Sequence, residues 1–138
     1  MIIFCYYLNM QKDFDNWNKK KKEIHDDNKN KLYHARELWW CNLGINIGFE
    51  EDGTGSDYER PVLILRGLSA NTCFVAPLTT SKNKHPMRIP IGILEENGKE
   101  NSVIISQMRI IDTRRLIDKI GFLDIKKFEE IRKIVRNL

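Results

Sequence analysis

Two apolar, β-branched runs separated by a short polar connection form the clearest pattern along the chain. The first run spans 59–66 and the second spans 72–80, and the pleated backbone of a strand favours both. The connection through Gly67 and Asn71 is short enough for the chain to turn back on itself. The two runs are therefore predicted to be neighbouring antiparallel strands.

Polar side chains lie at one edge of this predicted pair. Antiparallel pairing would bring Arg60, at the start of the first strand, close to the end of the second, where Thr79, Thr80 and Ser81 follow one another. A planar guanidinium matches phosphate oxygens, and hydroxyls add hydrogen bonds. This edge of the sheet is therefore predicted to hold a phosphate group.

The rest of the pattern predicts short strands between two helices. An amphipathic helix is expected from residue 11 to about 22, and a second helix begins after Asp124, which can cap it. Alternating or continuous apolar residues predict four further strands, at 36–44, 87–91, 102–111 and 119–123. Several short strands with a terminal helix indicate a small, strongly curved sheet or barrel.

The segment 48–58 differs from its neighbours because it is rich in glycine and acidic residues. Such residues pack poorly, so the segment is predicted to be a long mobile loop that leads into Arg60.

Pro90 places the 87–91 strand at an edge of the sheet, because proline has no N–H to donate to a partner strand.

Length and composition restrict the domain organisation and the partners. The 138 residues suit a partly helical extension at 1–33 and one barrel domain at 34–138. A net charge of +4 fits an anionic partner such as nucleic acid. Three widely spaced cysteines indicate neither a disulfide framework nor a metal site, and a reducing cytoplasm is the default location. The apolar residues 1–9 are too short to span a membrane and are interpreted as an upstream start extension.

Six segments then occur in an order that is typical of one protein family. They are 37–44, 48–50, 60–65, 75–79, 102–112 and 119–124. Together they resemble the PemK/MazF-like toxins of bacterial toxin-antitoxin pairs over residues 35 to 137. The resemblance implies a mainly β (α+β) fold, an SH3-like small barrel with helices, usually as a homodimer. It also implies a type II toxin that cleaves single-stranded RNA, such as mRNA, by attack of the 2′-hydroxyl, without a metal ion or cofactor, and that a cognate antitoxin protein neutralises.

The resemblance also implies roles for particular residues. Arg60 and Thr79 match active-site positions of the family, and Glu50 matches an acidic loop residue and is the candidate base. Gln107 and Arg109 match a Gln-x-Arg pair that supports the RNA groove. The other predicted RNA contacts follow the second strand and are Thr80, Ser81, Lys82, Lys84, His85 and Arg88. His85 is the alternative base, since imidazole exchanges protons near neutral pH.

Two departures from the family pattern leave other functions open. Phe49 stands where some members have histidine or serine, and Ser106 stands where an acidic residue is frequent. One alternative is a non-catalytic toxin that binds a protein target, as gyrase-inhibiting relatives of the same fold do. The other is an RNA-binding barrel without catalytic activity. A strand-edge position could also account for Arg60 without any catalytic role.

Overall fold

The computed structural model describes residues 11–28 and 31–138, which form an antiparallel sheet with a helix at each end. The elements, in chain order, are α1 (Phe14–Asp26), β1 (Glu37–Asn42), β2 (Glu59–Gly67), β3 (Thr72–Thr79), β4 (Arg88–Leu94), β5 (Lys99–Ile104), β6 (Arg109–Asp112), β7 (Leu116–Phe122) and α2 (Ile125–Arg136). Short 3-10 helices at Ile105–Gln107 and Thr113–Arg115 precede β6 and β7. The interpretation of residues 1–9 as a start extension falls outside the described residues.

The sheet curls around β3. Its strand order is β4-β5-β3-β2-β1-β7. One edge of β3 pairs with β2, whereas the other edge pairs first with β6 and then with β5. Because β3 changes partner along its length, the sheet bends into a half-barrel. The predicted fold class, a mainly β small barrel with helices, is confirmed.

Two apolar cores lie on opposite faces of the sheet, because successive side chains of a strand point to opposite sides. The first core is closed by α2 and contains Leu38, Leu63, Leu65, Ala76, Leu78, Ile89, Val103, Ile105, Leu123, Phe128 and Ile131. The second contains Trp39, Cys41, Leu43, Val62, Ile64, Cys73, Val75, Ile111 and Leu116. The strand β1 therefore carries large side chains on both faces, as its sequence predicts.

One strand prediction is wrong. The run 102–111 is not continuous: β5 ends at Ile104, a 3-10 turn follows, and β6 begins at Arg109 on a different stretch of β3. At the break Ile105 is fully buried in the first core, and its amide donates to Met87 O at 2.8 Å. Residues that favour a strand lie on both sides of the turn, at 103–105 and 110–111, and they conceal the break in the sequence pattern.

The helix α1 buries one side chain against the sheet. Trp17 is the only buried residue of α1, and its ring lies 5.4 Å from that of Tyr58. The Arg115 guanidinium stacks over the same indole at 5.7 Å. The helix runs to Asp26, beyond its predicted end. No helix in residues 11–28 and 31–138 is long and apolar enough to cross a membrane.

Candidate active site

The pairing of β2 with β3 brings the predicted cation and hydroxyl together. Val62 pairs with Pro77, and continuing this antiparallel register places Arg60 opposite Thr79. The Arg60 Nη1 donates to Leu78 O at 3.0 Å, so the guanidinium reaches the end of β3. Arg60 and Thr79 therefore lie at the same edge of the sheet.

Three contacts fix the guanidinium of Arg60. Its Nε donates to Asp52 O at 2.6 Å, its Nη2 pairs with Glu51 Oε1 at 2.8 Å, and its Nη1 bonds to Leu78 O. Only 18% of its side-chain surface is exposed. A guanidinium has five N–H donors, so two are left for an incoming anion within the described part of the chain. The Arg60 guanidinium is therefore held in place and still has N–H groups that can bind an anion.

The Thr79 hydroxyl is oriented by the backbone that follows it. The residue is 8% exposed, and its Oγ1 accepts a hydrogen bond from Ser81 N at 3.1 Å. Because this bond uses an oxygen lone pair, the hydroxyl proton is left to donate. Thr79 also pairs with Ser102 of β5, which fixes the end of β3 from the other side.

The carboxylate that pairs with Arg60 belongs to Glu51, which the sequence analysis did not single out. Glu50 is exposed, and its carboxylate has no hydrogen-bond or ion-pair partner within residues 11–28 and 31–138. Its amide donates to Ile47 O at 3.0 Å. Adjacent acids in a loop look alike in a sequence, and only the loop geometry separates their positions. Glu50 is therefore adjacent in the chain to Glu51, the residue that pairs with Arg60, but is not itself that partner.

The residues 43–58, here called the site loop, are held by a network of hydrogen bonds. The backbone N–H of Asn46 donates to Asp52 Oδ1 at 2.6 Å, and the side-chain Nδ2 of Asn46 donates to Glu51 O at 2.8 Å. Gln107 bonds the loop twice, accepting from Glu51 N at 3.1 Å and donating to Phe49 O at 3.2 Å. The expectation of a mobile loop therefore does not hold for this part, because its polar groups bond to one another and to Gln107 of the 3-10 helix.

Gln107 and Arg109 were predicted to bind RNA, and the structure places both behind the site loop. The Arg109 Nη1 donates to Asn46 Oδ1 at 3.4 Å. Gln107 therefore contacts Glu51, which pairs with Arg60, and Arg109 contacts Asn46, which bonds to Asp52 and Glu51. Their position fits a supporting role, as the family resemblance implies.

The other predicted contacts line one groove beside Thr79. The groove has a volume of about 1090 Å³, and its walls include Thr80, Ser81, Lys82, Lys84, His85 and Arg88. Arg88 is held by a hydrogen bond from Nη1 to Asn83 O at 3.4 Å. Lys82 and Lys84 are exposed, and neither forms an ion pair with any described residue. Two positive charges that form no ion pair therefore face the solvent at this groove, which Glu100 also lines.

The hydrogen bonding of His85 sets which nitrogen carries its proton. The Nδ1 accepts from Met87 N at 3.0 Å, so the neutral ring carries its hydrogen on Nε2. In this tautomer Nε2 of His85 is a hydrogen-bond donor and cannot accept a proton. The arrangement weakens its assignment as the alternative base.

Cys41 lies close to the site and Cys73 lies near the other end of β3, and neither thiol can act as a nucleophile. Cys41 pairs with Arg60 across β1 and β2 and is fully buried, as is Cys73. Burial raises the pKa of each thiol to about 12. Both remain protonated at neutral pH, and the thiolate is the reactive form. Within residues 11–28 and 31–138, no group of three His, Cys, Asp or Glu side chains is placed to hold a metal ion.

Comparisons with known proteins agree with this arrangement. The family described as PemK-like, MazF-like toxin of type II toxin-antitoxin system matches residues 34–138. A relative from Bacillus subtilis (strain 168), Endoribonuclease EndoA, is 30% identical over 102 residues, covering 69% of this chain and 84% of the relative.

Solved structures show the same fold at lower identity. MazF (form I) from Deinococcus radiodurans is 20% identical with a TM-score of 0.61, covering 78% of this chain and 96% of that one. A MazE-MazF structure (form II) from the same organism is 18% identical with a TM-score of 0.56, covering 78% and 95%. The Mycobacterium tuberculosis toxin MazF-mt6 is 21% identical with a TM-score of 0.55, covering 74% and 94%.

Proposed function

The chain belongs to the family of PemK-like, MazF-like toxins of type II toxin-antitoxin systems, and we propose that it cleaves single-stranded RNA without a metal ion. The observation that carries this proposal is the Arg60 guanidinium, held with two free donors beside the Thr79 hydroxyl at a basic groove. The relative named as an endoribonuclease supports the same activity.

The reaction begins at the 2′-hydroxyl next to the scissile phosphate. A base takes the hydroxyl proton, the 2′-oxygen bonds to phosphorus, and the bond from phosphorus to the 5′-oxygen breaks. The departing 5′-oxygen takes up a proton, so the products are a cyclic phosphate and a 5′-hydroxyl. Negative charge on the phosphate oxygens grows in the transition state, which is where a fixed cation contributes most.

Arg60 stabilises that charge with its two free N–H groups. Its other three contacts hold the guanidinium before substrate arrives, so little reorganisation is needed during the reaction. Removing one such donor from an active site lowers kcat by about 10²–10³-fold. Thr79 donates its hydroxyl hydrogen to a second phosphate oxygen.

Glu50 is proposed as the base. Its exposed carboxylate has no partner in the described part of the chain, so it is free to accept the 2′-hydroxyl proton. Glu51, by contrast, is engaged with Arg60 at 2.8 Å and acts by holding that side chain. His85 presents Nε2–H as a hydrogen-bond donor to the groove, and the departing 5′-oxygen takes its proton from water.

The groove beside Thr79 provides the path for the RNA strand. Lys82, Lys84 and Arg88 neutralise phosphates along it, and Thr80 and Ser81 add hydroxyl donors next to the scissile group. Gln107 and Arg109 keep the site loop in position from behind.

The partners follow from the family. A type II toxin works with a cognate antitoxin protein, and the Deinococcus radiodurans MazE-MazF structure contains such a pair. We expect the toxin to act as a homodimer in the cytoplasm, where its RNA substrate is found.

The direct test is cleavage of a mixed-sequence RNA by the purified protein in EDTA. We expect cyclic-phosphate ends in the wild type and a loss of about 10²–10³-fold in Arg60→Ala. Arg136→Ala is the matched control, since Arg136 is exposed on α2 and forms no ion pair with a described residue. Equal rates in Arg60→Ala and the wild type would contradict the assignment of Arg60.

Other outcomes would identify the alternative functions. Intact RNA that stays tightly bound would indicate a non-catalytic RNA-binding barrel. Growth arrest with whole RNA and accumulated gyrase complexes would indicate an inhibitor that binds a protein target.

The two acids are separated by their glutamine variants. Glu50→Gln removes the base, so kcat falls by about 10²–10⁴-fold and the acidic limb of the pH–rate profile disappears. Glu51→Gln keeps that limb but lowers kcat, because Arg60 loses an ion pair. An acidic limb that survives in Glu50→Gln would reject Glu50 as the base.

A further inference from the structure

Lys12, which lies just before α1, reaches into the site loop. Its Nζ donates to Asn46 O at 2.7 Å and to Gly48 O at 2.7 Å, and it pairs with Asp52 Oδ2 at 3.0 Å. An ammonium group has three N–H donors, so these contacts use all of them. Only 14% of the Lys12 side-chain surface is exposed.

Asp52 contacts both Lys12 and Arg60. One carboxylate oxygen of Asp52 binds Lys12, and the other accepts the Asn46 amide at 2.6 Å. The backbone oxygen of the same residue accepts Arg60 Nε, also at 2.6 Å. A shift of Asp52 would therefore move an acceptor that holds the guanidinium.

The start of the helix keeps Lys12 in position. Asp13 caps α1 by accepting from Asn16 N at 3.1 Å, and Trp17 anchors the first turns on the sheet. None of the three Lys12 contacts is with a residue of α1. Its three partners all belong to the site loop, more than thirty residues along the chain.

We propose that Lys12 is a positioning residue for Arg60, so that the active site includes a segment upstream of the family domain, whose match begins at residue 34. Without the ammonium, two carbonyls and a carboxylate in the partly buried site loop lose their shared donor. The loop then relaxes and carries the Asp52 backbone oxygen away from Arg60. This inference rests on the proposed function, because it concerns the rate of the same reaction.

The test compares Lys12→Met with Lys19→Ala. Methionine keeps most of the apolar stem and removes the charge, so the variant is expected to fold. Lys19 is an exposed lysine of α1 without a hydrogen bond or ion pair to a described residue, and it controls for the loss of one positive charge. We expect Lys12→Met to lower kcat by up to about 10²-fold, as small misplacements of catalytic groups do, with KM little changed. Lys19→Ala keeps the wild-type kcat.

A double-mutant cycle shows whether the effect passes through Arg60. In an Arg60→Ala background, Lys12→Met is expected to have no further effect on kcat. Losses that multiply in the double variant would overturn the proposal, as would equal kcat values for Lys12→Met and Lys19→Ala.

The Arg60 Nε–H signal in an NMR spectrum provides a readout that does not depend on cleavage. This hydrogen is bonded to Asp52 O, so it exchanges slowly with water in the wild type. Its disappearance in Arg60→Ala assigns the signal. Faster exchange in Lys12→Met but not in Lys19→Ala supports the positioning role, and unchanged exchange refutes it. A wild-type protein that cleaves no RNA would reject the nuclease proposal, while this signal would still decide the role of Lys12.

Discussion

Replacing Gly44 by alanine tests how firmly α1 is held against the sheet. Gly44 has a φ of +83°, and a Cβ built there would overlap the indole of Trp17. Gly48 also has a positive φ, +55°, but a Cβ there meets no atom within 4 Å. The two glycines therefore separate backbone strain from steric overlap.

The expected loss of stability follows from these two contributions. A non-glycine residue in the left-handed region costs about 1–2 kcal/mol. Overpacking against a buried ring adds about 1–3 kcal/mol. Gly44→Ala should therefore lower the free energy of unfolding by about 2–5 kcal/mol, and Gly48→Ala by about 1–2 kcal/mol.

Urea denaturation followed by circular dichroism measures both variants under the same conditions. Displacement of Trp17 also moves the start of α1, so Gly44→Ala should share the slower RNA cleavage of Lys12→Met. Gly48→Ala isolates the strain contribution for comparison. Equal stability losses in the two glycine variants would refute the packing of Trp17 on Gly44.

Three further predictions concern individual side chains. Hydrogen bonds from Arg114 lower the pKa of Asp112 to about 2, so ionised Asp112 stabilises the fold above about pH 4; the stability gap between the wild type and Asp112→Asn should shrink as the pH falls towards 2. Because their pKa values are about 12, Cys41 and Cys73 should resist iodoacetamide at about pH 8 until urea is added, as peptide masses would show. Gln107→Ala removes two bonds to the site loop, and its kcat should fall by about tenfold.

The sequence predicts the central hairpin well because local signals agree there. The β-branched runs and the turn between them specify antiparallel pairing, and beyond a bulge between Ile64 and Arg66 the register places Arg60 opposite Thr79. Antiparallel pairing has a period of two, so a shift by one residue would turn every buried side chain outward. The edge that holds both residues could therefore be predicted before the structure was known.

Features that depend on distant contacts could not be predicted in this way. The turn that begins at Ile105 lies between two β-branched segments, 103–105 and 110–111, and only the change of partner along β3 reveals it. The site loop brings Glu51, and not Glu50, to Arg60. The conformation of that loop depends on hydrogen bonds to Gln107. The contact of Lys12 with the loop joins segments more than thirty residues apart and leaves no local pattern.

A single 2′-deoxy substitution tests the central claim most directly. An RNA oligonucleotide that the protein cleaves at one mapped bond is compared with the same oligonucleotide in which the nucleotide on the 5′ side of that bond lacks its 2′-hydroxyl, both in EDTA. We predict a cyclic phosphate on the RNA product and no cleavage of the substituted bond. Cleavage of the 2′-deoxy bond at the same rate would contradict the mechanism at Arg60 and Thr79.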